Sequence, residues 1–133
     1  MNRSIKSLTA PHSMWYHINM NREFLHTSLF DKQWEALGLD DDDLRSFQSE
    51  LIDASKQAPV IQGTGGVRKV RFSFNNKGKS GGVRVLYLDI EKVSIIALLS
   101  VYAKSEKGNI DAEEKRIIHR LVEIIKKGVM KNE

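Results

Sequence analysis

The chain has 133 residues and a mass of 15.2 kDa, which is the size of one domain, since domains usually hold about 100–200 residues. With 41% hydrophobic and 29% charged residues, two prolines and nine glycines, its composition is that of a folded domain rather than a disordered segment. The absence of cysteine excludes disulfide scaffolds, cysteine-based zinc sites and thiol nucleophiles, and it is consistent with a reducing cytoplasm.

Positive charge is concentrated in one part of the chain. Overall, 21 Lys and Arg residues exceed 17 Asp and Glu residues, for a net charge of +4. Between Gly65 and Lys104 the net charge is +6, which leaves −2 on the rest, and the basic residues of this segment are Arg68, Lys69, Arg71, Lys77, Lys79, Arg84, Lys92 and Lys104. Such a local positive field attracts polyanions, and the alternative is a solvated strand face.

Neither a membrane span nor a secretory leader is expected. No stretch approaches the 18 or more apolar residues of a transmembrane helix, and residues 1–20 lack the continuous apolar run of a secretory signal. We therefore expect a cytoplasmic protein with no membrane association. We interpret residues 1–20 as a flexible N-terminal extension and residues 21–133 as a single domain.

The first half of this domain predicts a short strand followed by two helices. Arg22–Thr27 is a strand candidate, and Ser28 is a suitable N-cap for a helix that ends at Gly38 and carries apolar residues at helical spacing: Phe30, Trp34 and Leu37. Asp40–Asp43 complements the dipole of a second helix, whose apolar stripe is Leu44, Phe47 and Leu51. Pro59 is expected to end the helical region.

Three strands are predicted next. Val67–Phe74 alternates apolar with basic or polar residues, as in a sheet with one buried face. Asn75–Gly82 is a polar, glycine-rich hairpin. Val83–Ile90 and Val93–Ala103 then complete an antiparallel meander, and the last strand, which is apolar on both faces, is expected to be central.

An amphipathic helix is predicted from Asp111 to about Lys127, with Asp111 as N-cap and Glu114 as its capping-box partner. Its apolar stripe is Ile117, Ile118, Leu121, Val122, Ile124 and Ile125. We therefore expect an α+β fold with two N-terminal helices, an antiparallel β-sheet meander and a C-terminal helix. The helices are expected on one face of the sheet, with the other face partly free.

Common catalytic motifs are absent from the sequence. Gly78-Lys79-Ser80 lacks the earlier glycine and the following helix of a phosphate-binding loop, so nucleotide hydrolysis is not expected. No metallohydrolase or serine hydrolase motif occurs, and the four histidines are each expected at the surface: His12, His17, His26 and His119. We expect neither a metal nor a cofactor.

Basic residues on adjacent predicted strands are the remaining candidate site. Antiparallel pairing across the hairpin places Arg84 near Arg71, and the third strand returns Lys104 to the same edge. The residues expected to face one acid-poor surface, suited to binding phosphate, are Lys69, Arg71, Arg84 and Lys104.

Three blocks in this region, Gly65–Arg71, Gly78–Tyr87 and Val101–Lys107, resemble the HigB-like branch of the RelE/ParE toxin superfamily. The resemblance covers roughly Glu23 to Lys126. It implies a RelE-like microbial ribonuclease fold and the toxin of a type II toxin–antitoxin system, a metal-independent endoribonuclease or mRNA interferase that cuts mRNA in the ribosomal A site and inhibits translation. It also implies three partners: mRNA, the ribosome and a cognate antitoxin, commonly a helix-turn-helix protein like HigA.

Carried over by position, the resemblance implies four catalytic residues: Lys69, Arg71, Arg84 and Lys104. We assign transition-state stabilisation to Arg84, whose planar guanidinium suits phosphate. We assign the role of general base to Lys69, because crowding by Arg68 and Arg71 favours a neutral amine. Lys104 or Arg71 would assist the leaving oxygen. Further RNA or phosphate contacts are assigned to Arg68, Lys77 and Lys79.

The sequence departs from some relatives at two places. Ser105 stands where some have arginine, and residues 109–111 lack a tyrosine that some carry, so no tyrosine is assigned a role. Two other functions stay open, a ParE-like poison of DNA gyrase and a non-catalytic module that binds nucleic acid. The presence of Lys69, Arg71 and Arg84 favours RNA cleavage over a gyrase target.

Overall fold

A computed structural model of the chain describes residues 22–73, 82–106 and 108–130. The expected N-terminal extension lies outside these ranges, as does most of the expected hairpin, including Lys77 and Lys79. The described elements in chain order are β1 (Glu23–His26), α1 (Ser28–Ala36), α2 (Asp41–Ala54), β2 (Arg68–Phe72), β3 (Val83–Ile90), a 3-10 turn (Glu91–Val93), β4 (Ile95–Ala103), a second 3-10 turn (Lys104–Glu106) and α3 (Ala112–Met130).

The four strands form one sheet in the order β1-β4-β3-β2. The predicted meander is confirmed, since β3 pairs antiparallel with both β2 and β4, and β4 lies inside the sheet as expected. β1 adds to β4 in parallel, with Glu23 opposite Ile95, so the sheet is mixed rather than wholly antiparallel.

Both N-terminal helices are capped by side chains. Thr27, rather than the expected Ser28, caps α1, and its Oγ1 accepts a hydrogen bond from the Phe30 amide at 3.0 Å. The acidic run begins α2 as predicted, because Asp40 is the N-cap and forms a reciprocal capping box with Asp43. α2 ends at Ala54, well before Pro59.

The helices lie on both faces of the sheet, so the expectation that they share one face is wrong. α1 and α2 cover one face in a core that includes Phe30, Trp34, Phe47, Phe72, Val85, Tyr87 and Leu98. α3 covers the opposite face, in a second core that includes Val67, Leu86, Leu88, Leu99, Tyr102 and Val122. Because β3 and β4 are apolar on both faces, each face needs its own helical layer.

α3 begins with the predicted capping box between Asp111 and Glu114. The sheet covers only part of its apolar stripe: Val122 is 1% exposed, whereas Ile117 and Ile124 are each 62% exposed. No helix within the described ranges is both long enough and apolar enough to cross a membrane.

Candidate functional site

Strand alternation places three of the predicted site residues on one face of the sheet. On β2, Val70 and Phe72 pack toward α1 and α2, so Lys69 and Arg71 belong to the opposite face. On β3, Val83 and Val85 point toward the same two helices, which places Arg84 on that opposite face as well. Lys69, Arg71 and Arg84 therefore share the face on which α3 packs.

The strand register brings two of these cations directly together. Arg71 lies opposite Arg84, and Arg84 lies opposite Tyr102 of β4, so these three residues form what we call the cross-strand row. The Lys69 amide donates to the Pro59 carbonyl, outside the β2–β3 ladder, which makes Lys69 and Arg71 non-hydrogen-bonded positions toward β3. Paired Cα atoms at such positions are about 4.5 Å apart, and their side chains are close neighbours.

Burial decreases across the row from β4 to β2. Tyr102 is 7% exposed, within the apolar core beneath α3; Arg84 is half-buried, and Arg71 is exposed. Lys69 is half-buried, and the exposed Lys104 begins the 3-10 turn that directly follows β4. The structure thus places Arg71, Arg84 and Lys104 near one end of the sheet, with Lys69 two residues before Arg71 on the same face of β2. Tyr102 lies opposite Arg84 as a neighbour that the sequence did not assign.

A glycine at the start of β3 allows the two arginine-bearing strands to meet. Gly82 has φ +69°, and a Cβ atom at this position would overlap the carbonyl oxygen of Phe72. A larger residue here would therefore be strained and would collide with the β2 backbone. The absence of a side chain at Gly82 helps to set Arg84 opposite Arg71.

The strands that carry the cross-strand row are poor in acidic residues. The described strands β2, β3 and β4 contain one acidic residue, Asp89, and it lies at the far end of β3 on the face toward α2. Its carboxylate accepts hydrogen bonds from Arg22 at 2.6 Å, from the Ser55 hydroxyl at 2.8 Å and from Lys56 at 3.3 Å. Burial raises the pKa of Asp89, but the Ser55 and Arg22 hydrogen bonds and the Arg22 and Lys56 charges more than offset this, so the pKa lies below its ordinary value.

Tyr87 completes this buried polar region. Its hydroxyl donates to the Ser55 carbonyl oxygen at 2.7 Å. Burial raises the pKa of Tyr87 to about 12, although the nearby Arg68 charge acts in the opposite direction. This end of β3 is therefore bonded to the C-terminal end of α2, on the face opposite to the cross-strand row.

The structure does not bring Arg68 to the cation-bearing face. Its Nη1 donates to the carbonyl oxygens of Lys56 and Ala58, at 3.2 Å and 2.6 Å, and so ties β2 to the segment after α2. The expected crowding of Lys69 by Arg68 is absent for the same reason. The other two predicted RNA-binding residues, Lys77 and Lys79, lie outside the described ranges.

One histidine expectation is wrong and one is confirmed. The side chain of His26 is only 11% exposed, because its Nδ1 lies 2.9 Å from the Asp31 carboxylate and its Nε2 lies 3.2 Å from Nε2 of Gln48. His119 is 51% exposed on α3, as predicted. His12 and His17 precede the first described residue.

Comparison with known proteins supplies the family. The profile of the family described as RelE toxin of the RelE/RelB toxin–antitoxin system matches residues 22–132. A solved structure of the E. coli toxin RelE, a mutant in the free state, is similar with 15% sequence identity and a TM-score of 0.45, covering 63% of this chain and 84% of that chain. Because the family profile spans most of the chain, this protein belongs to the RelE toxin family of RelE/RelB toxin–antitoxin systems.

Proposed function

We propose that this toxin is a ribosome-dependent mRNA endoribonuclease of the HigB-like branch, which cleaves translated mRNA and thereby inhibits translation. The observation that carries the proposal is the pairing of Arg71 with Arg84, with Lys69 on the same face of β2 and Lys104 directly after the end of β4. Like charges directly opposite each other destabilise a sheet, so their presence favours a surface that binds an anion. Membership of a toxin family is consistent with this use.

RNA itself supplies the nucleophile and the leaving group for such a reaction. The 2′-hydroxyl attacks the adjacent phosphorus in line, the bond from phosphorus to the 5′-oxygen breaks, and a 2′,3′-cyclic phosphate and a 5′-hydroxyl result. The protein must orient the linkage and stabilise the negative charge that develops on the phosphoryl oxygens. Arg84, half-buried in an interior strand, is the residue best placed to provide that stabilisation.

The proton transfers are assigned to the neighbouring cations. Lys69 acts as general base toward the 2′-hydroxyl, and Lys104 or Arg71 stabilises or protonates the departing 5′-oxygen. Lys69 and Arg71 extend from the same face of β2, and Lys104 follows the end of β4. These groups therefore approach one linkage from both sides of Arg84.

Replacing Arg84 tests the proposal. We expect Arg84→Ala to lower cleavage of ribosome-bound message about 100- to 1000-fold, the usual effect of removing one positioned transition-state donor. Cuts are mapped by primer extension on a translated message with purified ribosomes. The control variant is Lys92→Ala, which removes an exposed cation in the turn between β3 and β4 and should cleave normally.

Three outcomes separate the candidate functions. Discrete cuts within codons by the wild-type toxin, lost in Arg84→Ala, support the ribonuclease. DNA breaks without RNA cuts would instead indicate a gyrase poison, and neither effect would leave a non-catalytic RNA-binding module. Near-normal cleavage by Arg84→Ala would remove Arg84 from the mechanism.

A toxin of this family acts beside an antitoxin. We propose that the antitoxin is a HigA-like helix-turn-helix protein with an acidic segment that covers the face bearing Lys69, Arg71 and Arg84. The net charge of +6 between Gly65 and Lys104 supports an acidic docking segment, because opposite charges attract across an interface. Salt-dependent binding of the purified pair would test this.

A further inference from the structure

The pairing of β3 with β4 contains one irregularity close to the cross-strand row. Tyr87 lies opposite Leu98, but the preceding residue of β3, Leu86, lies opposite Ser100. Leu99 is therefore an extra residue in β4, which makes this a β-bulge. The bulge stands between the buried middle of the strand pair and the Arg84–Tyr102 pair.

The bulge changes which face of the sheet the end of β4 presents. Leu98 packs toward α1 and α2, whereas Tyr102 packs beneath α3. In a regular strand these two residues, separated by an even number of positions, would share a face. The extra residue moves Tyr102 to the face that carries Arg84.

Two side chains from the β1–α1 region hold the backbone of the bulge. The Thr27 hydroxyl donates to the Leu99 carbonyl oxygen at 2.9 Å. The Gln33 side-chain Oε1 accepts from the Val101 amide at 2.9 Å. Beyond His26, β1 no longer pairs with this edge of β4, so the partly buried backbone groups there need side-chain partners.

We infer that Gln33 is a positioning residue for the proposed ribonuclease site. α1 lies on the face opposite to Arg71 and Arg84, so Gln33 acts on the site only through the β4 backbone. By bonding the Val101 amide it stabilises the bulge, and the bulge keeps Tyr102 opposite Arg84 and the start of the Lys104 turn in place. The inference rests on the proposed function for its activity readout alone.

The first measurement needs no RNA. In Gln33→Leu the Val101 amide loses its acceptor, and we expect its hydrogen exchange to accelerate at least about 10-fold, with weaker nuclear Overhauser contacts between Arg84 and Tyr102. Gln33→Glu keeps an acceptor oxygen at the same reach, so exchange should stay within about threefold of wild type. Lys32→Leu, a change at the preceding exposed position of α1, is the control for altered helix composition.

The second measurement compares cleavage of ribosome-bound message. A displacement near 1 Å within a site can cost about 100-fold in rate, so we expect Gln33→Leu to lower kcat about 10- to 100-fold while KM changes less than about threefold. Gln33→Glu should restore most of the rate, and Lys32→Leu should match wild type. If Gln33→Leu does not fold, Gln33→Asn serves in its place, because it is polar but one methylene too short to reach Val101.

The outcomes distinguish this inference from the proposed function. Unchanged Val101 exchange and unchanged Arg84–Tyr102 contacts in Gln33→Leu or Gln33→Asn would overturn it, as would wild-type cleavage by either variant or an equal loss in Gln33→Glu. If the wild-type toxin cuts no message, the proposed function fails. The exchange and contact measurements would still decide whether Gln33 holds the bulge.

Discussion

The two ends of β3 carry charge in opposite ways. At its start, Arg84 lies opposite another arginine, Arg71, on the face shared with α3. Near its end, Asp89 on the other face is held by two cations and a hydroxyl group, with contacts between 2.6 and 3.3 Å. At the start of the strand two cations lie opposite each other. At the end, cationic and hydroxyl partners bind the Asp89 carboxylate, whose side chain is 5% exposed.

Under the proposed function, this difference separates residues that act on RNA from residues that stabilise the fold within one strand. Like charges directly opposite each other destabilise a sheet, which is consistent with the proposed use of this end of the strand to bind an anion. A buried carboxylate with good partners contributes to the fold, because removing either side leaves an uncompensated charge. Substitutions at the two ends should therefore affect different measurements.

The largest expected effect is at the like-charged end. Arg71→Glu should lower cleavage of translated message about 1000-fold. The new carboxylate would repel the RNA phosphate, and it would also form an ion pair with Arg84. The same change should leave the free energy of unfolding equal or raise it by up to about 0.5 kcal/mol, because an opposite-charge pair replaces a like-charge pair. Primer extension and urea unfolding measure the two effects, with Lys92→Glu as the charge-matched control. Loss of stability in parallel with activity would contradict the separation.

The next effect is at the compensated end. Asp89→Asn should lower the free energy of unfolding by about 3 kcal/mol, because Arg22 loses its buried counter-charge. Cleavage per folded molecule should stay within about twofold of wild type. Glu91→Gln, which removes the exposed partner of Lys56 at 3.3 Å, is the control and should cost less than about 0.5 kcal/mol. A shift below 1 kcal/mol in Asp89→Asn would show that the Asp89 contacts do not stabilise the fold.

The contribution of Asp89 to the free energy of unfolding should depend on pH, because its pKa is lowered in the folded state. In the unfolded chain the Asp89 carboxyl titrates at about pH 3.9, so the stabilising contribution of Asp89 is fully present above that pH. The contribution is lost as the pH falls through the lower folded pKa, where both states bind the proton. The gap in unfolding free energy between wild type and Asp89→Asn should therefore be constant from pH 7 to 5 and narrow below about pH 4. A gap that stayed constant down to pH 2 would contradict this assignment.

The smallest expected effect is on stability and concerns Arg68, a residue of β2 on the same face of the sheet as Asp89. Arg68→Gln should cost about 1–2 kcal/mol of stability through its lost bonds to the Lys56 and Ala58 carbonyl oxygens. It should leave cleavage of message unchanged. A drop in cleavage comparable to that of Arg71→Glu would restore the RNA-binding role that the sequence predicted for this residue.

Local sequence patterns predicted most of the fold because each element carries its own signals. The Asp40–Asp43 run and the Asp111–Glu114 pair marked two helix starts, and period-two alternation gave β3 its observed bounds. The same alternation predicted that Lys69, Arg71 and Arg84 would share a surface. The same alternation also places Arg68 and Lys69, which are adjacent in sequence, on opposite faces of β2.

Features that depend on distant residues could not be predicted in this way. The parallel pairing of Glu23 with Ile95 joins segments that are far apart in sequence, and no local pattern encodes it. The bulge at Leu99 lies where Thr27 and Gln33, which are distant in sequence, hydrogen-bond the backbone of β4. His26 is largely covered because its ring contacts Asp31 of α1 and Gln48 of α2, which lie near the end of β1.

The interior position of β3 has a consequence for the choice of substrate. Arg84 stands on a strand flanked by β2 and β4, so its backbone is already ordered before RNA arrives. The conformational entropy lost in forming a complex at the proposed site then falls mainly on the nucleic acid. Messenger RNA held in a translating ribosome is already conformationally restricted, whereas free RNA is not. Binding at the proposed site should therefore cost less entropy for ribosome-bound message than for free RNA.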